Sequence, residues 1–325
     1  MTLELLKRSV ALASVLALAA CSGSGGDNTS SDNAASGDAD ETQIVRHDTN
    51  PYPSTYVPSP SGVTLIRGAT IFDGTGGRID NGDLLVEDGR IAAIGQNLDS
   101  PDGATIVDAT GRYLTPGIID VHSHLGVYPS PGASAHSDGN EATSPVTANV
   151  WAEHSVWPQD PGFEAALAGG VTTMQILPGS ANLFGGRGIT LRNVSARTVQ
   201  EMKFPGAPYS LKMACGENPS RVYGNRGQSP ATDMGNMAGY RATWQEASDY
   251  RDSWNEYWDA AEAGEDVSAP SRDLGMDTLM GVLDGDILVN MHCYRADQMA
   301  QIIDLSQEFG YQVTAFHHGV EAYKI

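Results

Sequence analysis

Apolar and polar positions fall into three regimes along the chain. Near the start, Lys7 and Arg8 precede an apolar run over residues 10–20, interrupted only by Ser14, too short to span a bilayer but matching the hydrophobic core of a secretory leader. Over residues 22–60 apolar positions almost vanish, and Ser, Gly, Asp and Asn give way to Pro. That pattern predicts a solvated tether, its acidic run at 27–41 serving as a spacer. From Val63 onward, short β-branched stretches alternate with turn signals, predicting strands over 63–66, 69–72, 83–86, 90–94 and 105–107. Asp88-Gly89 between two of these strands is a strong hairpin signal. Residues 61–116 therefore read as a small β part.

Beyond Pro116-Gly117 the period changes. Apolar runs of four to seven residues alternate with longer helix-compatible stretches, as in βα units around a parallel sheet. Strands are expected at 118–121, 171–177, 189–191, 209–215, 287–291 and 312–316, the sheet of an α/β fold of the (β/α)8 barrel type. A closed barrel takes about 250 residues, whereas residues 117–325 include an excursion at 217–274 and stop about two βα units short. Ile325 falls where a helix after the sixth strand would start, so the expectation is an incomplete barrel from a truncated gene model or a fragment. Tyr240, Trp244, Trp254 and Trp258 recur at near-helical spacing and read as packing against the barrel, with a lid as the lesser reading.

Composition narrows the function. With 19 Lys+Arg against 40 Asp+Glu, the formal net charge is −21, which disfavours nucleic acid phosphates as partners. The glycine-rich stretch 179–188 lacks the Gly-Lys-Ser/Thr ending of a phosphate loop. Three cysteines, none in a CxxC pair, make neither a disulfide framework nor a zinc ribbon. Leu18-Ala19-Ala20-Cys21 resembles the bacterial lipoprotein signal box. That resemblance implies that residues 1–21 are a signal peptide and lipobox cleaved before Cys21, whose thiol then carries a lipid anchor on the extracytoplasmic side of a membrane. The plain alternative is an ordinary leader with a chance cysteine. Cys215 and Cys293 are expected near the ends of adjacent strands in an oxidising compartment. A disulfide between them is open, and buried free thiols are the expectation.

The residues that carry chemistry sit at predicted strand ends. In Asp120-Val121-His122-Ser123-His124 the two imidazoles are at i and i+2 of a strand, point the same way and can bind one metal ion. Strand C-terminal ends form the active face of such a barrel. A lone HxH is a weak signal, strengthened here by three later strand ends. Lys212 interrupts an apolar strand and needs a partner, either as part of the site or in a salt bridge to Glu217. His292 closes 287–291, and His317 and His318 close 313–316. Arg187, and Arg221 with Tyr223, suit recognition of a substrate carboxylate, or equally the anchoring of loops.

At this point the chain resembles the amidohydrolase superfamily, in its imidazolonepropionase and prolidase-like branch, over nearly all of 63–325. The carrying motifs are Gly68-Ala69-Thr70-Ile71-Phe72-Asp73-Gly74, Leu114-Thr115-Pro116-Gly117-Ile118-Ile119-Asp120-Val121-His122-Ser123-His124 and Gly169-Gly170-Val171-Thr172-Thr173. The resemblance implies a barrel with a β-sandwich and a metal-dependent hydrolase of carbon–nitrogen bonds in small amides, cyclic amides or dipeptides. It further implies His122 and His124 on a first divalent ion of the zinc type, carboxylated Lys212 bridging it to a second, and His292 with His318 on the second; an unmodified Lys212 would leave a site for one ion. His317 then faces the other way, to pack or to bind substrate. The family's acid, an Asp on the eighth strand, has no counterpart in this chain, so the catalytic acid is unassigned. A catalytically inactive, ligand-binding lipoprotein on the same barrel is the alternative, and oligomeric state is not readable.

Overall fold

The structure, a computed structural model, describes Ile44 and residues 46–325. The leader, the lipobox at Cys21 and most of the expected tether lie outside the described residues. Among the described residues, no helix is long and apolar enough to cross a membrane.

The first sheet contains β1 (Thr64–Phe72), β2 (Arg78–Glu87), β3 (Arg90–Gly95), β4 (Thr105–Asp108) and β5 (Tyr113–Leu114), with β3-β2-β1-β4 in order and β5 also pairing with β1. The strands expected at 63–66 and 69–72 are one strand, whose register shifts between Ile66 and Ala69, around Gly68 at φ 74°. Asp88 and Gly89 turn the β2–β3 hairpin with φ of 50° and 71°, the positive values that a tight two-residue reversal requires. Leu65, Ala69 and Ile71 are buried on one side of β1, and the buried carboxylate of Asp83 accepts bonds from the Gly68 and Leu98 amides.

The second sheet carries the site. Its strands are β6 (Ile118–Ser123), β7 (Val171–Ile176), β8 (Phe184–Arg192), β9 (Ser210–Ala214), β10 (Leu288–Cys293) and β11 (Val313–His318), in the order β11-β10-β9-β8-β7-β6. β6 runs parallel to β7, and β9, β10 and β11 run parallel to one another. Contrary to the all-parallel expectation, β8 is antiparallel to both neighbours and longer than the predicted 189–191. The reason is connection length. Only residues 177–183 join β7 to β8, and a parallel crossover needs about a dozen or more.

Helices α1 (Pro161–Ala168), α2 (Val199–Met202), α3 (Glu217–Gly224), α4 (Asp233–Glu262), α5 (Leu274–Leu283) and α6 (Ala296–Phe309) accompany this sheet. Asp160 caps α1 and Asp273 caps α5 through side-chain bonds to first-turn amides, satisfying donors that a helix start leaves free. The core gathers Met174, Ile176, Phe184, Leu211, Met213, Val289 and Met291 from the strands against Tyr240 and Trp244 of α4. Trp254 and Trp258 are also buried, against Met280, so the aromatic stripe packs rather than forming a lid.

One boundary moves. Over residues 46–56, part of the expected tether, the chain is strapped to the second sheet. Arg187 donates to the Thr49 carbonyl, Lys203 donates to Asn50 Oδ1 and the Tyr52 carbonyl, Ser54 Oγ donates to the Lys203 carbonyl, and the Thr55 amide donates to the Gln200 carbonyl. A strap held by polar bonds shows no apolar signature, which is why composition reads it as solvated.

Candidate metal centre

The edge strands β6 and β11 are five spacings apart in sheet order, about 24 Å if the sheet were flat. Yet the ring of His122 lies 4.4 Å from that of His317 and 4.9 Å from that of His318, between ring centres. The sheet is therefore curled until its two edges meet at the C-terminal ends of β6 and β11. That curl brings together five histidines scattered over the sequence.

On β6 the i, i+2 spacing does what it predicts. The rings of His122 and His124 are 5.0 Å apart, with their Nε2 atoms 3.3 Å from each other. The Leu177 carbonyl lies 2.8 Å from His124 Nδ1. A carbonyl can only accept, so Nδ1 carries the proton and Nε2 keeps its lone pair, the usual way a ligating imidazole is oriented. His292, at the end of β10, is almost fully buried. Its Nε2 is 3.2 Å from Asn218 Nδ2, while its Nδ1 is buried without a partner.

The expectation for the last doublet is corrected. In the β10–β11 register, His317 is opposite His292, so His317 shares the site face and does not turn away. His318 should then point outward by strand alternation, but its backbone is left-handed at φ 70°. Its ring swings back to within 4.5 Å of His292, between ring centres. A histidine held in that region is strained and needs surrounding support. His317 is itself buried and donates from Nε2 to Asn290 Oδ1 at 2.6 Å.

Lys212 sits in β9 opposite Asn290 and is fully buried. Its amine donates to the Pro178 carbonyl at 2.9 Å, and no carboxylate, Glu217 included, offsets its burial. Burial alone pushes its pKa down to about 7. Burial likewise pushes His122 and His292 down to about 3 and His317 to about 4, with the Lys212 charge and the neighbouring imidazoles acting in the same direction. His124 and His318 are lowered for the same first reason. Near neutral pH the cluster is thus a set of uncharged nitrogen donors, the form that binds metal.

As they stand, no three His, Cys, Asp or Glu side chains among the described residues are arranged around one metal ion. The donor chemistry fits one all the same. Neutral imidazoles suit zinc-like ions, the His292 Nδ1 is orphaned, and two Nε2 atoms face one another across 3.3 Å.

The other candidates fall outside this cluster. Arg187 pairs with Leu211 in the β8–β9 register, one position from the Gly186–Lys212 pair, so it projects from the opposite face. There it donates to Thr278 Oγ1 at 2.8 Å and stacks 4.0 Å over Trp151; it anchors the strap and α5. Tyr223 is buried, its single hydroxyl proton shared between the Ser144 carbonyl at 2.6 Å and Asn182 Oδ1 at 2.7 Å, which is a packing role. Arg221 is exposed on α3. The two thiols also depart from expectation, because Cys215 and Cys293 form a disulfide with Cα atoms 5.3 Å apart. Register explains it: His292 is opposite Ala214, which puts the next residue of each strand side by side.

Two residues were missed. Asn290 orients His317 from the middle of an apolar strand, an interruption like that of Lys212, and Asn218 reaches His292 from the first turn of α3. A cleft of about 530 Å3 adjoins Pro178, whose carbonyl holds Lys212; Asn140, Glu141, Trp151 and His154 also line it.

No family model matches the chain. It is 40% identical to an amidohydrolase from Thermotoga maritima MSB8 of known crystal structure, with a TM-score of 0.73 over 80% of this chain and 66% of that one. It is 35% identical over 259 residues to the amidohydrolase tasK of Hapsidospora irregularis, covering 75% of this chain and 26% of that protein. A stretch of 61 residues is 52% identical to the D-hydantoinase of Geobacillus stearothermophilus, 19% of this chain and 12% of that protein. The chain thus spans about a quarter of the tasK protein and just under two thirds of the Thermotoga one.

Proposed function

Because this chain belongs to the amidohydrolase superfamily, we propose that it is a metal-dependent hydrolase of carbon–nitrogen bonds in small amides, cyclic amides or dipeptides. The observation that carries the proposal is the meeting of His122, His124, His292, His317 and His318 at one rim of the curled sheet, beside a buried lysine without a carboxylate partner. In this reading the curled sheet is part of a (β/α)8 barrel, and the five-stranded sheet is part of a β-sandwich. His122, His124, His292, His318 and Lys212 would hold one or two divalent ions, with zinc the ion their donors suit. Such an ion supplies Lewis acidity, polarising a carbonyl oxygen and acidifying water.

The chain's own residues do the rest. The Leu177 carbonyl fixes the tautomer of His124, and Asn290 fixes that of His317. A neutral Lys212 amine can attack CO2, forming an N–C bond and releasing the nitrogen proton. The product is an anionic oxygen pair in a place where no acidic side chain stands. We also read the protein as lipid-anchored through Cys21 outside the cytoplasm, on the strength of its leader pattern; fatty-acid labelling that is lost in Cys21→Ser tests this.

The experiment is metal analysis of the purified protein with assay on a panel of dipeptides and cyclic amides. Activity removed by chelation and restored by zinc supports the reading. A protein that takes up no metal and turns over nothing overturns it, and leaves the ligand-binding alternative.

A further inference from the structure

The Cys215–Cys293 disulfide takes no part in the proposed chemistry, yet it lies where that chemistry is assembled. Cys293 directly follows His292, and Cys215 comes three residues after Lys212. The two strands are held by a parallel ladder whose last rung is the Cys215 amide donating to the His292 carbonyl at 2.9 Å. Beyond that rung the chains part. Gly216 turns with φ 71° into α3, and the segment after Cys293 turns into α6. A ladder that ends beneath two ligand-bearing residues frays from that end. The disulfide closes it at the terminal rung, and with Cys215 and Cys293 only 4% and 0% exposed the bridge is shielded from attacking thiolates. Its place is that of a permanent clamp, not of a redox switch.

We infer that the Cys215–Cys293 bridge is a positioning device for the candidate centre, fixing the separation of the strand that carries Lys212 from the strand that carries His292, so that metal affinity depends on it. The inference rests on the reading that these two residues hold metal. Metal affinity tests it, because a bridge that merely stabilised the fold would shift unfolding without changing how tightly the folded protein binds.

The experiment titrates zinc chloride against a chromophoric chelator with the 325-residue protein and with two bridge-free variants. One is Cys215→Ala with Cys293→Ala; the other, Cys215→Ser with Cys293→Val, refills more of the bridge volume. Each is first shown to be folded by circular dichroism. The expected result is a 10–100-fold weaker zinc affinity in the folded variants, the range seen when groups that orient metal ligands are removed. Affinity within about twofold of wild type in either folded variant overturns the clamp alone. A wild-type protein that binds no zinc overturns the clamp together with the proposed function. Loss of the fold in both variants makes the bridge a general stabiliser and overturns the positioning role.

Discussion

Two buried lysines, one on each side of the start of β9, show how differently the molecule treats charge. Lys203 is enclosed by partners: Asn50, the Tyr52 carbonyl, Tyr209 and Glu153, whose carboxylate oxygen is 3.5 Å away. Lys212 has one backbone carbonyl and no acid. Both have lowered pKa values through burial, but Glu153 works against that loss at Lys203, and nothing does so at Lys212. A buried charge that is fully paired holds structure together, here the strap to the sheet. A buried amine left unpaired costs stability, and the cost is tolerated where the neutral amine has work to do.

The sharpest test replaces each lysine by methionine, which keeps the length and discards the amine. Lys212→Met should lower kcat/KM by about a thousandfold or more, the several kcal/mol that a lost metal-holding group removes, while the thermal stability of the metal-free protein at pH 7.5 rises. The sign follows from linkage. The Lys212 amine is protonated in the unfolded chain up to about pH 10.5 and in the fold only below about pH 7. The fold therefore loses stability as pH falls between those values, and methionine regains it. Lys203→Met should do the opposite, costing about 3–5 kcal/mol because Glu153 is left buried without its cation, with turnover per folded molecule unchanged. Chemical denaturation and kinetics on both variants check the pair; a destabilised Lys212→Met would break the contrast.

The same contrast explains what could be read from the sequence. Each residue of the cluster was legible because it violated its surroundings: His122, Lys212, His292 and the final doublet each end or interrupt an apolar run. The strap over residues 46–56 carried no such mark, since polar residues in a polar segment look solvated whether or not they are docked, and without it the partners of Lys203 and Arg187 could not be named. The antiparallel β8 was hidden by assuming one repeating unit and by starting that strand at 189, which leaves eleven residues after 177; the seven-residue connection that forbids a crossover emerges only with β8 beginning at Phe184. The side on which His318 points was unreadable, because alternation fails at a positive φ that its residue type does not announce. The disulfide needed the β9–β10 register, which two isolated cysteines cannot supply.

Acid should separate the regions next. His122, His292 and His317 have folded pKa values of about 3, 3 and 4 against an ordinary 6.5. Values depressed by folding mean that the stability is whole above pH 6.5 and is lost as pH falls toward the folded values. Thermal melts of the metal-free protein from pH 7.5 to 5 should show a falling midpoint. Saturating zinc, which binds only the neutral imidazoles, should raise every midpoint. Replacement of all three by uncharged residues should flatten the slope, and a slope that survives the replacement would move its origin to other groups.

The smallest effect belongs to the rim of the strap. Arg46 pairs with Glu262 at 3.3 Å and stacks 5.1 Å over Trp258, but both partners of the ion pair are more than half exposed, at 57% and 54%. Exposed pairs of this kind contribute about 0–1 kcal/mol, and an exposed cation–π contact about 0.5–1. Arg46→Ala should therefore cost about 1 kcal/mol, and the coupling to Glu262→Ala in a double-mutant cycle should be below about 0.5. Beside Lys203→Met, so small a value says that the strap is held from inside, by bonds to Lys203 and Arg187 that water does not reach. A coupling several times larger would place the hold at the surface instead, and the distinction between paired and unpaired buried charge would lose its structural half.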